Sequence, residues 1–197
     1  MADRAPLQLK DAAAWEAWLE ANAARSPGVW LAISKQGSAR ASPTYAEALD
    51  AALCYGWIDG QKAPLDADFY LQRFTPRGPR SMWSKRNREH VSRLAAAGRM
   101  RASGHAEVER AKGDGRWDAA YAGQATAEVP DDLRAALARV PGAAALFAEL
   151  DSANRYAILF RIGAVKRPET RVRKIDEYVA MLARGETLHP RRAKRAG

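Results

Sequence analysis

Residues 57–100 read WIDGQKAPLDADFYLQRFTPRGPRSMWSKRNREHVSRLAAAGRM, and the fold class turns on them. Trp57 to Lys62 and Phe69 to Thr75 are two extended runs, separated by A-P-L-D-A-D, whose Pro and Asp residues suit a turn. They predict a β-hairpin. The segment Thr75 to Arg80, TPRGPR, holds two prolines and a glycine and excludes helix. Ser81 or Ser84 then caps a helix to about Ala97, stopped by Gly98, with Asn87, Val91, Leu94 and Ala95 on its inner face.

Upstream, Asp11 is an N-cap for a helix to about Ala24, and VWLAIS at 29–34 reads as a strand that would join the hairpin in a small antiparallel sheet. Thr44 and Glu47 form a T-x-x-E capping box that opens a helix through Tyr55, ended by Gly56. Downstream the chain reads as helical to its end. Ser103 caps a short helix, Pro130 precedes a second, Pro141-Gly142 breaks it before a third, and Ser152 caps a fourth with Tyr156, Leu159, Phe160 and Gly163 as its apolar stripe. Pro168 begins the last, with Val172, Ile175, Val179 and Leu182 inward. The prediction is an α+β protein. It has a mixed part over residues 1–100, with a small antiparallel sheet and helices, an all-helical part over 101–188 packed on it as one compact body, and a disordered basic tail over 189–197.

At 197 residues and 47% apolar content the chain can bury a real core. It has no apolar run long enough to span a membrane and no secretory signal pattern, so the expected compartment is the cytoplasm and no membrane insertion is expected. The single cysteine, Cys54, cannot form an internal disulfide, and His90, His105 and His189 have no metal-site spacing, so neither a metal nor a cofactor is expected. The phosphate-binding glycine loops and the nucleophile-elbow motif are also absent, which removes sequence support for nucleotide hydrolysis, dinucleotide chemistry and the common esterase arrangement.

The net charge of +9 is unevenly placed. Between Arg73 and Arg101 nine Lys and Arg residues face Glu89 alone, and Arg191, Arg192, Lys194 and Arg195 crowd the tail, so the rest of the chain is mildly acidic. Arg73, Arg77 and Arg80 sit on or beside backbone that the prolines stiffen, and a guanidinium matches phosphate or carboxylate in a bidentate way. The helix start at Ser84 and Lys85 would add its amides to the same region, and Arg88 would add field. The plainer reading pairs these arginines with Asp59, Asp66 or Asp68 of the hairpin. Trp57, Phe74 and Trp83 could stack on a base or ring, or could pack the sheet onto the helices. Asp59, before Gly60, closes a turn or, in an arginine-lined pocket, acts as an acid or base, for which the sequence shows no second catalytic group. The last two helices, with Arg167, Arg171, Arg173 and Lys174, fit either a helix-turn-helix or an ordinary helical hairpin.

The runs ALCYGWIDGQK, YLQRFTPRGPRSMWSKRN and AAGRM, then SANRYAILFRI and KRPETRVRKIDEYVAMLARGETLHP, resemble the YdeI or OmpD-associated family, also labelled bacteriocin-protection proteins. The resemblance runs from about Trp15 to Pro190. It implies a role in resistance to bacteriocins or antimicrobial peptides and association with an outer-membrane porin, and it carries no catalytic residues. The residues and the resemblance together predict a non-catalytic stress or resistance protein that binds a small anionic ligand through Trp57, Asp59, Arg73, Arg77, Arg80, Trp83, Ser84, Lys85 and Arg88. A nucleic-acid binder using the same basic face is the alternative, and an enzyme using Asp59 a third. Under the anion reading, changing Arg77 and Arg80 together to alanine should abolish binding and leave the melting temperature almost unchanged.

Overall fold

The computed structural model describes residues 5–123, 126–165 and 167–190, so the basic tail after Pro190 lies outside the described residues. Its described residues form eight helices and one three-stranded antiparallel sheet, an α+β fold with the strands in the N-terminal part. The chain divides into two compact units, Met1–Ala120 and Tyr121–Gly197.

In the first unit, α1 (Ala12–Asn22) starts where the Asp11 carboxylate accepts from the Ala14 amide. β1 (Val29–Ser34) follows, and α2 (Tyr45–Cys54) opens with a complete capping box between Thr44 and Glu47. β2 (Trp57–Pro64) and β3 (Phe69–Pro76) form the hairpin, and β3 is central in the order β1-β3-β2. The register pairs Leu31 with Gln72 and Val29 with Phe74, which sends these side chains to the helix-covered face, while Trp30 and Arg73 pair on the opposite face. β2 carries a bulge between Asp59 and Lys62, and the buried Gln72 amide donates to the Gly60 and Gln61 carbonyls that the bulge leaves unpaired in the ladder. The core gathers Trp15, Leu19, Leu31, Ile33, Leu53 and Phe74.

α3 (Lys85–Ala96) is capped by Ser84, whose hydroxyl accepts from the Asn87 amide. Val91 and Leu94 are its buried residues; Ala95, expected inward, is exposed. α4 (Ala102–Gly113) begins two residues earlier than a Ser103 cap would place it. The expected division near residue 100 would separate α4 from the sheet, but Val108 and Ala111 are buried in the first core and the Arg101 amide donates to the Cys54 carbonyl. Close approach explains Gly104: a Cβ there would fall 2.2 Å from the Cys54 carbonyl oxygen.

The second unit holds α5 (Asp131–Ala138), α6 (Pro141–Glu149), α7 (Ser152–Gly163) and α8 (Pro168–Ala183) around Leu133, Phe147, Ile158, Ile162, Ile175 and Leu182. Two sequence expectations are corrected here. α7 is capped by Asp151 rather than Ser152, and it buries Ile158, Leu159 and Ile162, leaving Tyr156 and Phe160 half-buried. α8 buries Tyr178 with Ile175, Val179 and Leu182, and leaves Val172 60% exposed, because the α8 stripe is completed at its C-terminal end. Asn154, 1% exposed, exchanges two hydrogen bonds with the His189 backbone and so ties the end of the described chain to α7.

Candidate functional site

The TPRGPR segment has an inner and an outer side. A tight turn forms at Gly78–Ser81, where the Ser81 amide donates to the Gly78 carbonyl and the Ser81 hydroxyl accepts from the Gly78 amide. That turn directs Arg77 inward. Its side chain is 5% exposed, donates to the Met82 carbonyl at 3.0 Å, and sits over the Trp83 ring, 3.6 Å from its centroid. Trp83 in turn contacts Trp117 at 4.9 Å between ring centroids, and the Arg88 guanidinium lies 5.1 Å from the Trp117 ring while donating to the Trp117 carbonyl. Arg77, Trp83, Trp117 and Arg88 are therefore one chain of contacts, edge-on between the two indoles, joining the segment to α3 and to the chain after α4.

Three further groups fasten the same segment to α4. Glu107, 6% exposed, is paired with Arg110 and, at 3.1 Å, with Arg116. Arg110 also donates to the Arg77 carbonyl at 3.1 Å, and Arg116 to the Ser81 carbonyl at 2.9 Å. A buried carboxylate holding two guanidiniums, each of which holds a loop carbonyl, is a structural clasp. A cleft of about 350 Å³ opens beside it, lined in part by Tyr55, Trp57, Arg77, Ser103, Glu107 and Arg110.

The aromatic residues expected at the site are interior. Trp57, Phe74 and Trp83 are 1%, 0% and 2% exposed, and the Trp57 indole donates to the Ala23 carbonyl at 3.3 Å. They offer no free ring face to a base. Asp59 is half-buried on β2 and accepts from the Tyr45 hydroxyl at 2.8 Å. Burial first, and that hydrogen bond second, push the Tyr45 hydroxyl well above its ordinary value, with the Arg86 charge acting in the other direction. Arg73 is half-buried beside Trp30 on the open sheet face, 5.8 Å from its ring.

The outer side is different. Arg80, Lys85 and Arg86 are exposed, and among the described residues none has a carboxylate within ion-pairing distance. The hairpin acids are engaged elsewhere: Asp59 with Tyr45, Asp66 with the Asp68 and Phe69 amides, and Asp68 with the Ser38 hydroxyl. Lys85 and Arg86 occupy the first turn of α3, which has no acidic residue, whereas the first turns of α2, α5 and α8 carry Glu47, Asp131 with Asp132, and Glu169. Cations at the positive end of a helix dipole oppose it. The nine site residues expected from sequence thus separate into an interior set, Trp57, Arg77, Trp83 and Ser84, a partly engaged set, Asp59, Arg73 and Arg88, and an outward set, Arg80 and Lys85.

Sequence reading missed one further member of the outward set, Arg86, and one cluster. On the α2–α3 seam Asp50 accepts from Arg93 at 2.6 Å and lies 2.7 Å from His90 Nδ1. Burial alone would raise the Asp50 carboxyl, but the hydrogen bonds from His90 and Arg93 outweigh it and hold the group below the ordinary aspartate range. The signal available in the sequence was the spacing Arg86, His90, Arg93, which shares one face of α3.

The family comparisons follow this division of the chain. A family model described as a domain of unknown function, DUF8412, matches residues 7–107. The chain belongs to that family. The DUF8412 match contains the whole sheet, the TPRGPR segment and α3, so the WIDG and RFTPRGPRS runs that suggested another family lie inside it. The second unit carries the YdeI or OmpD-associated domain, described as bacteriocin-protection, matched over residues 126–185. Comparison with curated proteins and with solved structures gave no match.

Proposed function

We propose that this DUF8412-family chain is a binding module rather than an enzyme, and that its first unit takes a phosphate- or carboxylate-bearing anion on the outward rim of Arg80, Lys85 and Arg86. The observation that carries the reading is the first turn of α3, where two cations stand against the helix dipole, with no acid in that turn and, among the described residues, no carboxylate within ion-pairing distance of them. An anion at that turn would meet free helix amides and fixed positive charge together. Asp59 supports no catalytic role in this reading, because its carboxylate is committed to Tyr45.

The description of the second unit's family points to bacteriocin protection, and we extend that to a resistance role for this chain. A chain of net charge +9 repels cationic peptides, so protection by direct capture of such peptides is disfavoured and an anionic partner fits better. No described helix is long and apolar enough to cross a membrane.

The test is a titration of the full chain with inorganic tripolyphosphate, by calorimetry, and with a short single-stranded oligonucleotide, by anisotropy. The double variant K85E/R86E should weaken whichever one binds by at least about tenfold; unchanged affinity would sink the assignment to this rim. Salt separates the two ligand classes. An oligonucleotide making three phosphate contacts would show a log–log slope near about −2, and a shallow slope leaves the small anion.

A further inference from the structure

The second unit holds a solvent-open groove of about 340 Å³ on α5, α6 and α7 that the anion reading of the first unit does not use. Leu137 and Phe147, 6% and 5% exposed, form its floor. Ala138 from α5, and Ala144 and Ala148 from α6, form its walls, and their one-carbon side chains leave the space that a leucine or phenylalanine would fill. Ala144, Phe147 and Ala148 share a helix face at i, i+3 and i+4, so the cavity follows from the α6 sequence.

The charged lining residues are both arginines, Arg134 from α5 and Arg155 from α7. Arg134 is committed to Asp131 at 2.6 Å. Arg155 is not: its guanidinium lies 4.9 Å from the Phe147 ring centroid, it is half-buried, and among the described residues no carboxylate pairs with it. The Phe147 ring holds the guanidinium in place and leaves its N–H donors without a carboxylate among the described residues. An incoming carboxylate would accept from them through bidentate hydrogen bonds, while an apolar tail covered Leu137 and Phe147.

We infer that the second unit binds a medium-chain acyl carboxylate in this pocket, with the chain on Leu137 and Phe147 between the alanines and the head group at Arg155. The class follows from size, apolar floor and positive rim; it does not depend on what occupies the first unit.

The experiment is calorimetry of the full chain with decanoate, and with decyltrimethylammonium as a tail of equal length and opposite charge. Decanoate should bind with a Kd near about 0.1 mM and the cationic tail at least about tenfold more weakly. Arg155→Gln should raise the decanoate Kd at least about tenfold, Arg155→Lys should recover part of that loss, and Ala148→Phe should abolish binding by filling the cavity. Because Ala148 and Arg155 both keep contact with solvent, circular dichroism and the melting curve should match the parent protein, and K85E/R86E should leave decanoate binding unchanged. The inference is overturned by no heat with several millimolar decanoate, by equal binding of the cationic tail, or by a decanoate Kd indifferent to Arg155→Gln.

Discussion

Arg77 and Arg80 stand three residues apart in one proline-stiffened segment, yet they do opposite things. Arg77 lies under the segment, stacked on Trp83 and bonded to the Met82 carbonyl. Arg80 faces water. The inner side is fastened by Glu107, Arg110 and Arg116; the outer side faces water without a carboxylate partner. A dense run of arginines is therefore not one functional patch. Most of it is engaged by the fold, and only Arg80, Lys85 and Arg86 are displayed to a ligand.

The largest effect expected to break this comparison is Arg77→Ala. It removes a buried hydrogen bond and a desolvated cation–π contact and leaves a void, for a loss of about 3 kcal/mol in urea unfolding. Arg80→Ala should stay within about 0.5 kcal/mol, so measuring the two singly replaces the expectation that the double change would leave stability untouched. If Arg77→Ala melts like the parent chain, the inner side is not structural.

Glu107→Gln comes next. Arg116 loses one carboxylate but keeps Asp114, and Arg110 keeps water, so the expected cost is about 2 kcal/mol, with faster proteolysis around residues 76–83 as a second readout.

A smaller effect, about 1 kcal/mol at neutral pH, is expected for Asp50→Asn. The Asp50 carboxyl is held below its unfolded-state value, so its ionised form stabilises the fold at and above the ordinary aspartate range, and the contribution is lost as pH falls through the depressed folded value. Acid unfolding of Asp50→Asn should therefore lack that part of the pH dependence, and an unchanged acid limb would remove the pair from the stability account.

The smallest effect has the opposite sign. Lys85→Glu should stabilise the fold by about 0.3–1 kcal/mol by matching the α3 dipole, while weakening anion binding. A gain in melting temperature together with a loss of binding would sharpen the contrast between engaged and displayed cations; a loss of both would mean that Lys85 is engaged by the fold.

Much of the secondary structure was legible because its signals are local. The Asp11 and Thr44 caps, the alternation of VWLAIS, and the hairpin around A-P-L-D-A-D need only neighbouring residues to read. The miscast positions need distant ones. Val172 sits at helical spacing with Ile175 and Val179 but is left outside, and Ala95 likewise faces water, because which arc of a helix is covered depends on what packs there. The site was legible as a place and not as a set of roles: the segment from Arg73 to Arg88 was found, and of the two readings open for Trp57 and Trp83 the fold takes the packing one, while the burial of Arg77 was not foreseen.

By itself the sequence determined the α+β class, the position of the sheet, most helix starts, the concentration of positive charge between Arg73 and Arg101 and the family resemblance, because each of these is written in neighbouring residues or in composition. Tertiary structure alone decided that the division falls after Ala120 and that Arg77 turns inward while Lys85 and Arg86 stay out. It also decided that Glu107 clasps two arginines and that three alanines with Phe147 leave a pocket beside Arg155. The physical reason is that burial and pairing depend on groups far apart in the chain, and a side chain's charge is the same in sequence whether the fold spends it on its own backbone or leaves it facing water.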